Sequence, residues 1–179
     1  MAQDQPLSRW TDEEVEIPED KLLCFITGAL VNDDEHERNR QLLGRELHEE
    51  YGYEIEDMDT EVTTKVGSRS GRADIVVFDE DEPHIDENVR VAVEIEPEET
   101  DPGDPEHGVE QVKSYMYMYP AEFGIWFNGV QKFFYHRQDD EIIEINDIPP
   151  QGLELEDIEV PDFGQLRPAS ELRGELKRC

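Results

Sequence analysis

Gly71-Arg72-Ala73-Asp74-Ile75-Val76-Val77-Phe78 and Asn88-Val89-Arg90-Val91-Ala92-Val93-Glu94-Ile95-Glu96 are apolar runs that carry acid at one end. The first is apolar on both faces at its centre, the pattern of a strand inside a sheet. The second alternates. Val89, Val91, Val93 and Ile95 fall on one face, and Arg90, Ala92, Glu94 and Glu96 on the other, because successive strand side chains point to opposite sides. If the two strands are neighbours, Asp74, Glu94 and Glu96 converge at one end of a sheet. Three hard oxygen donors together suit Mg²⁺ or Mn²⁺ better than zinc or copper. Such an ion can hold a phosphate and lower the pKa of a water. On spacing alone, strand carboxylates facing solvent would be unremarkable in so acidic a chain.

Working outward, Asn32-Asp33-Asp34 offers N-caps for a helix with acid in its first turn. Leu42, Leu43, Leu47 and Tyr51 give it an apolar stripe, and Gly52 ends it. Residues 61–66 read as a strand, 67–71 as a turn, 72–79 and 88–96 as strands, and 97–105 as an acidic loop. His107–Tyr119 reads as a helix stopped by Pro120. Strands at 123–127 and 132–136 meet across Asn128-Gly129, a hairpin signal, and 141–147 adds an edge strand. The expectation is an α/β domain with a central mixed β-sheet flanked by helices. It occupies residues 22–150, after an irregular lead-in over 1–21. Residues 151–179 read as an acidic linker and a short helix, Glu171–Cys179, a frayed end or the start of a further domain.

Three pieces in order, Gly71–Phe78, Val91–Glu96 and Gln111-Val112-Lys113-Ser114-Tyr115, resemble the nuclease domain at the N-terminus of type I restriction enzyme R subunits, a member of the PD-(D/E)xK nuclease superfamily. Phe25-Ile26-Thr27-Gly28, Glu37-Arg38-Asn39-Arg40-Gln41 and Gly124–Gly129 extend the resemblance over roughly 22–150. It implies a restriction-endonuclease-like core and a Mg²⁺- or Mn²⁺-dependent endonuclease that hydrolyses DNA phosphodiesters in a restriction-modification or related defence system. By position, Asp74, Glu94 and Ile95 would hold the metal, and Asp74, Glu94 and Glu96 would be catalytic. Gln111 and Tyr115 would contact DNA. They stand i, i+4 on one helix face. Glu37 would be an outer-shell acid, with Glu46 its rival. The family has Glu-x-Lys where this chain has Glu94-Ile95-Glu96. A glutamate cannot stabilise phosphate charge as the lysine does, but it can act as a base or an extra ligand. Lys113 lies roughly 200° around the helix from Gln111 and faces away from it. The alternative is an inactive nuclease-fold module that binds DNA or a methylase or helicase partner.

Between Glu61 and Asp74 there is no acid, only Lys65, Arg69 and Arg72. These would contact phosphate, with Gly67 and Gly71 letting the backbone approach, or would pair with surrounding acid. Tyr115-Met116-Tyr117-Met118-Tyr119 reads as core packing rather than a base-stacking platform. The five histidines show no metal spacing within one element and read as ordinary. There is no Gly-x-x-x-x-Gly-Lys loop and no Gly-x-Ser-x-Gly elbow, which excludes a P-loop motor and a serine hydrolase of that type.

The 179 residues hold 47 Asp+Glu against 16 Lys+Arg, a formal net charge of -31. The acid is spread along the chain, the pattern of a surface adapted to high salt, where self-repulsion is screened. A protein that mimics DNA or binds a basic partner is the alternative. No stretch reaches the roughly 18 apolar residues of a membrane span, and two cysteines make no disulfide framework. No basic-then-apolar leader is visible, so a reduced cytoplasmic protein is expected. A salt-adapted surface predicts a melting temperature that rises from low salt to molar KCl. A flat salt response in a thermal melt would refute it.

Overall fold

The computed structural model describes residues 16–157, apart from the side chains of Val66 and Arg69. Most of the lead-in and the helix expected at Glu171–Cys179 therefore lie outside the described residues.

A short antiparallel ribbon, β1 (Lys21–Leu23) with β2 (Leu30–Asn32), opens the domain. Gly28 turns it with φ of 71°, a left-handed value that suits glycine. Three-residue strands are too short for a periodicity to reveal, and the sequence reading gave none here. α1 spans Glu35–Glu49, and its N-cap Asp34 accepts a hydrogen bond from the Glu37 N–H at 2.9 Å. Leu43 and Leu47 are fully buried, whereas Leu42 is 53% exposed and drops out of the expected stripe.

The rest of the chain builds one six-stranded sheet in sequence order: β3 (Met58–Val66), β4 (Arg69–Phe78), β5 (Val89–Ile95), β6 (Phe123–Phe127), β7 (Lys132–Gln138) and β8 (Glu141–Ile145). All neighbours are antiparallel except β5 and β6, which run parallel. Parallel neighbours need a crossover, and α2 (Val109–Met118) supplies it. The sheet is mixed, with a helix packed on each face, and this is the expected restriction-endonuclease-like arrangement. The expected turn over 67–71 shrinks to Gly67-Ser68, since Arg69 already pairs with Val66.

One face of the sheet meets α1. Ile75, Val77, Val91, Val93, Ile95, Phe123 and Ile125 pack there with Leu43, Leu47 and Ile26. The other face meets α2, where Ala92 and Trp126 join Val112, Met116 and Tyr119. Tyr115, Met116 and Tyr119 of the aromatic run are thus core, as expected, and Tyr117 is exposed. Val89 departs from its expected face and packs with Phe78 on the α2 side. The β4–β5 register shifts between Val77 and Phe78, and a one-residue slip moves a side chain to the opposite face.

Two small residues set distances. A Cβ at Gly124 would lie 2.4 Å from Met116 Sδ, so the bare backbone of β6 lets α2 seat on the sheet. Asn128, 1% exposed, does more than turn the hairpin. Its Oδ1 accepts from the Val130 and Gln131 N–H groups, and its Nδ2 donates to the Glu98 and Thr100 carbonyls. It thereby ties the 97–105 loop to the sheet. Gly124→Ala should cost about 1–3 kcal/mol by overpacking. Urea unfolding measures this, and an unchanged midpoint would contradict the contact.

Candidate metal-nuclease site

The β4–β5 ladder runs outward to Ile75↔Val93. Beyond that pair the Ile95 N–H is taken by the Asp74 side chain, with Oδ2 accepting at 2.8 Å. On the other side of β4 the pairing steps from Thr60↔Ile75 to Val62↔Ala73, passing over Asp74. Glu61, the residue passed over, has φ of 54°. Asp74 therefore sits where the sheet opens on both sides.

Here a cleft of about 410 Å³ is lined by His36, Arg72, Asp74, Glu94, Ile95, Glu96, Pro97, His107, Gln111 and Tyr115. Asp74, Glu94 and Glu96 are all buried. Glu94 Oε2 and Gln111 Oε1 are buried with no hydrogen-bond partner among the described residues. His36 Nε2 stands 3.4 Å from Asp74 Oδ1, and His107 Nδ1 stands 3.2 Å from Glu96 Oε1. Gln111 Nε2 donates to the Tyr115 hydroxyl at 2.8 Å. The Trp126 indole N–H donates to the His107 carbonyl at 2.9 Å and holds the approach to α2.

The electrostatics follow from crowding acid out of water. Burial, then the neighbouring Asp74 and Glu96 charges, push the Glu94 carboxyl well above the usual range, against a smaller opposing pull from Arg72. Burial also raises Glu96, and His107 works against it. The hydrogen bond to Asp74 raises His36 despite partial burial. Among the described residues, no three His, Cys, Asp or Glu side chains are close enough together to coordinate one ion as they stand.

Seven of the residues singled out in the sequence line this cleft: Arg72, Asp74, Glu94, Ile95, Glu96, Gln111 and Tyr115. Lys65 does not. It is exposed on β3, opposite Ser70. Arg69 lies beyond Ser70 on the same hairpin, and its side chain is outside the described ones. Glu37 lines an adjoining cavity of about 390 Å³ that shares His36. Its carboxylate accepts from Arg40 and Gln41, so it works as the anchor of a buried cation rather than facing the three carboxylates. Glu46 pairs with Lys132, and Lys113 pairs with Glu110 at 2.7 Å and lies over the Tyr135 ring. Gly71 opens space for Tyr115 rather than for a ligand, since a Cβ there would lie 2.7 Å from that ring.

His36 and His107 are the residues the sequence reading passed over as ordinary. They come from different elements, so no spacing within one element joins them. The one available signal was the i, i+4, i+8 series His107, Gln111, Tyr115. The other histidines do pair elsewhere, His84 with Asp59 and His136 with Glu122.

Residues 35–149 match the family described as type I restriction enzyme R protein N terminus (HSDR_N). The chain belongs to this family. No curated protein matches it. Membership of the R-protein N-terminus family makes this a nuclease-type domain of a restriction system. Among the described residues, no helix is long and apolar enough to cross a membrane.

The Glu94 shift yields a stability prediction with a definite sign. The unfolded carboxyl ionises near its ordinary value of about 4.3, and the folded one higher. The folded state therefore holds a proton that the unfolded state has lost, and stability falls as pH rises between the two values. In metal-free buffer at pH 8, Glu94→Gln should be more stable than the parent by at least about 1.4 kcal/mol, the worth of one pKa unit. The gain should shrink toward pH 4. A less stable variant at pH 8 would reverse the reading.

Proposed function

We propose that the chain is a divalent-metal-dependent DNA endonuclease domain that hydrolyses phosphodiester bonds. The observation that carries this reading is the gathering of Asp74, Glu94, Ile95 and Glu96 with Gln111 and Tyr115 in one cleft. The donor set fits a hard cation. Among the described residues, the three buried carboxylates have no lysine or arginine paired to them, and Glu94 Oε2 has no hydrogen-bond partner. A buried carboxylate left so is costly unless neutralised. Asp74, Glu94 and the main chain of Ile95 would hold Mg²⁺ or Mn²⁺. When bound, such an ion supplies Lewis acidity at a phosphate oxygen and acidifies a neighbouring water.

The chain's own groups have separable tasks. Asp74 is fixed by the Ile95 N–H, so its second oxygen faces the cleft already oriented. Glu96, held between His107 and the Thr100 hydroxyl, is the base that takes a proton from water. Gln111 and Tyr115 are locked to each other and would steady the strand being cut. Lys65, Arg69 and Arg72 would meet phosphates along the hairpin. A methylase or helicase subunit of the same system would bring the DNA.

A second reading is a module of this fold that binds DNA without cutting it. Glu96 in the place of the family's lysine favours it, because that position then adds negative charge beside a phosphate. Plasmid cleavage in molar KCl with Mg²⁺ or Mn²⁺ separates the two. The native chain should cut, and Asp74→Ala should lose activity by about 100-fold or more. Cutting by Glu96→Lys but not by the native chain would establish the binding module instead.

A further inference from the structure

We propose that Arg72 is the catalytic cation of this site, supplying from β4 the positive charge at the reacting phosphate that the family pattern supplies from position 96. This rests on the nuclease reading above and assigns to Arg72 more than general phosphate contact.

The argument begins with charge. Hydrolysis at phosphorus adds negative charge to the non-bridging oxygens, in a cleft that already holds three carboxylates. Among the described side chains lining that cleft, Arg72 alone is permanently cationic. His36 and His107 are each engaged with a carboxylate, Asp74 and Glu96 respectively. The other basic candidates are committed elsewhere. Arg40 is buried against Glu37, and Lys113 pairs with Glu110.

Position agrees with charge. The β4–β5 register pairs Val77 with Val91 and Ile75 with Val93. The paired ladder stops at Ile75↔Val93, and Arg72 and Glu96 both lie beyond its open end and line the same cleft. Two residues from Asp74 along β4, Arg72 shares that residue's side of the strand.

The head group is also available. The Arg72 side chain is 61% exposed, and its one ion pair among the described residues, to Glu61, is loose at 3.8 Å. It nonetheless lines the cleft beside Asp74 and Glu94. A guanidinium presents two parallel N–H groups to two phosphate oxygens, a geometry an ammonium cannot offer.

In the step itself, the oxygen of a water bonds to phosphorus and the bond from phosphorus to one ester oxygen breaks. Glu96 takes the proton of the water, and the ester oxygen leaves with the bonding pair and gains a proton from solvent. Arg72 keeps its protons and donates hydrogen bonds to the two non-bridging oxygens, most strongly as their charge grows.

Single-turnover cleavage and equilibrium binding of one duplex, both with Mn²⁺ in molar KCl, test this. Arg72→Gln should cut about 100-fold more slowly. Its duplex affinity should change less than about threefold and its Mn²⁺ affinity not at all, because only transition-state contact is lost. Arg72→Lys, which keeps the charge but loses the paired N–H geometry, should cut at a rate between those of the native chain and Arg72→Gln. Native-rate cutting by Arg72→Gln, or a loss wholly in duplex affinity, overturns the role and leaves the nuclease reading standing. A native chain that does not cut, or an Asp74→Ala variant that cuts as fast as native, overturns both. The exposure of Arg72 makes misfolding an unneeded explanation, and circular dichroism of Arg72→Gln checks it.

Discussion

The hydrogen bond from the Ile95 main chain to Asp74 Oδ2 is the contact on which the site depends. It stands where a backbone ladder bond would otherwise continue the pairing of β4 and β5. Replacing a carbonyl with a carboxylate ends the ladder without orphaning the buried N–H. It also holds a negative charge at the end of the sheet, pointing across to the strand that carries Glu94. The same N–H fixes which Asp74 oxygen is spent and which is left. The two helices then close the cleft from opposite faces, α1 bringing His36 and the approach to α2 bringing His107.

Acid shapes the molecule at two scales. Over the surface, spread charge is a matter of solvent and screening. In the cleft, three carboxylates are pressed together where water cannot screen them, and one answer available to the chain is to keep Glu94 protonated. On the proposed reading, a cation bound there would displace that proton, and its binding would be coupled to pH.

Much of this was legible in the sequence because strand alternation is a short-range rule. The apolar centre of β4 marked an inner strand, and the spacing of Glu94 and Glu96 put them on one face. Gln111 and Tyr115 came from the resemblance, and helical spacing put them on one face. What was not legible came from tertiary contacts. Nothing near His36 announces that Asp74 will lie beside it. Glu37 looked like a free acid until Arg40, three residues on, folded under it. The face of Val89 was misread because Arg90 is an extra residue in β5, between the pairs Val77↔Val91 and Phe78↔Val89, and alternation alone does not show it. The β1–β2 ribbon was missed because three residues carry no period.

Gly71 carries a consequence of its own. The Tyr115 ring occupies the space a side chain at position 71 would fill, and that ring forms part of the wall of the cleft. A single hydrogen atom on β4 therefore sets how far the tyrosine sinks toward the sheet. Any larger group would lift the ring, and Gln111 with it through their hydrogen bond. The depth of the cleft is in this sense gauged by an absent side chain.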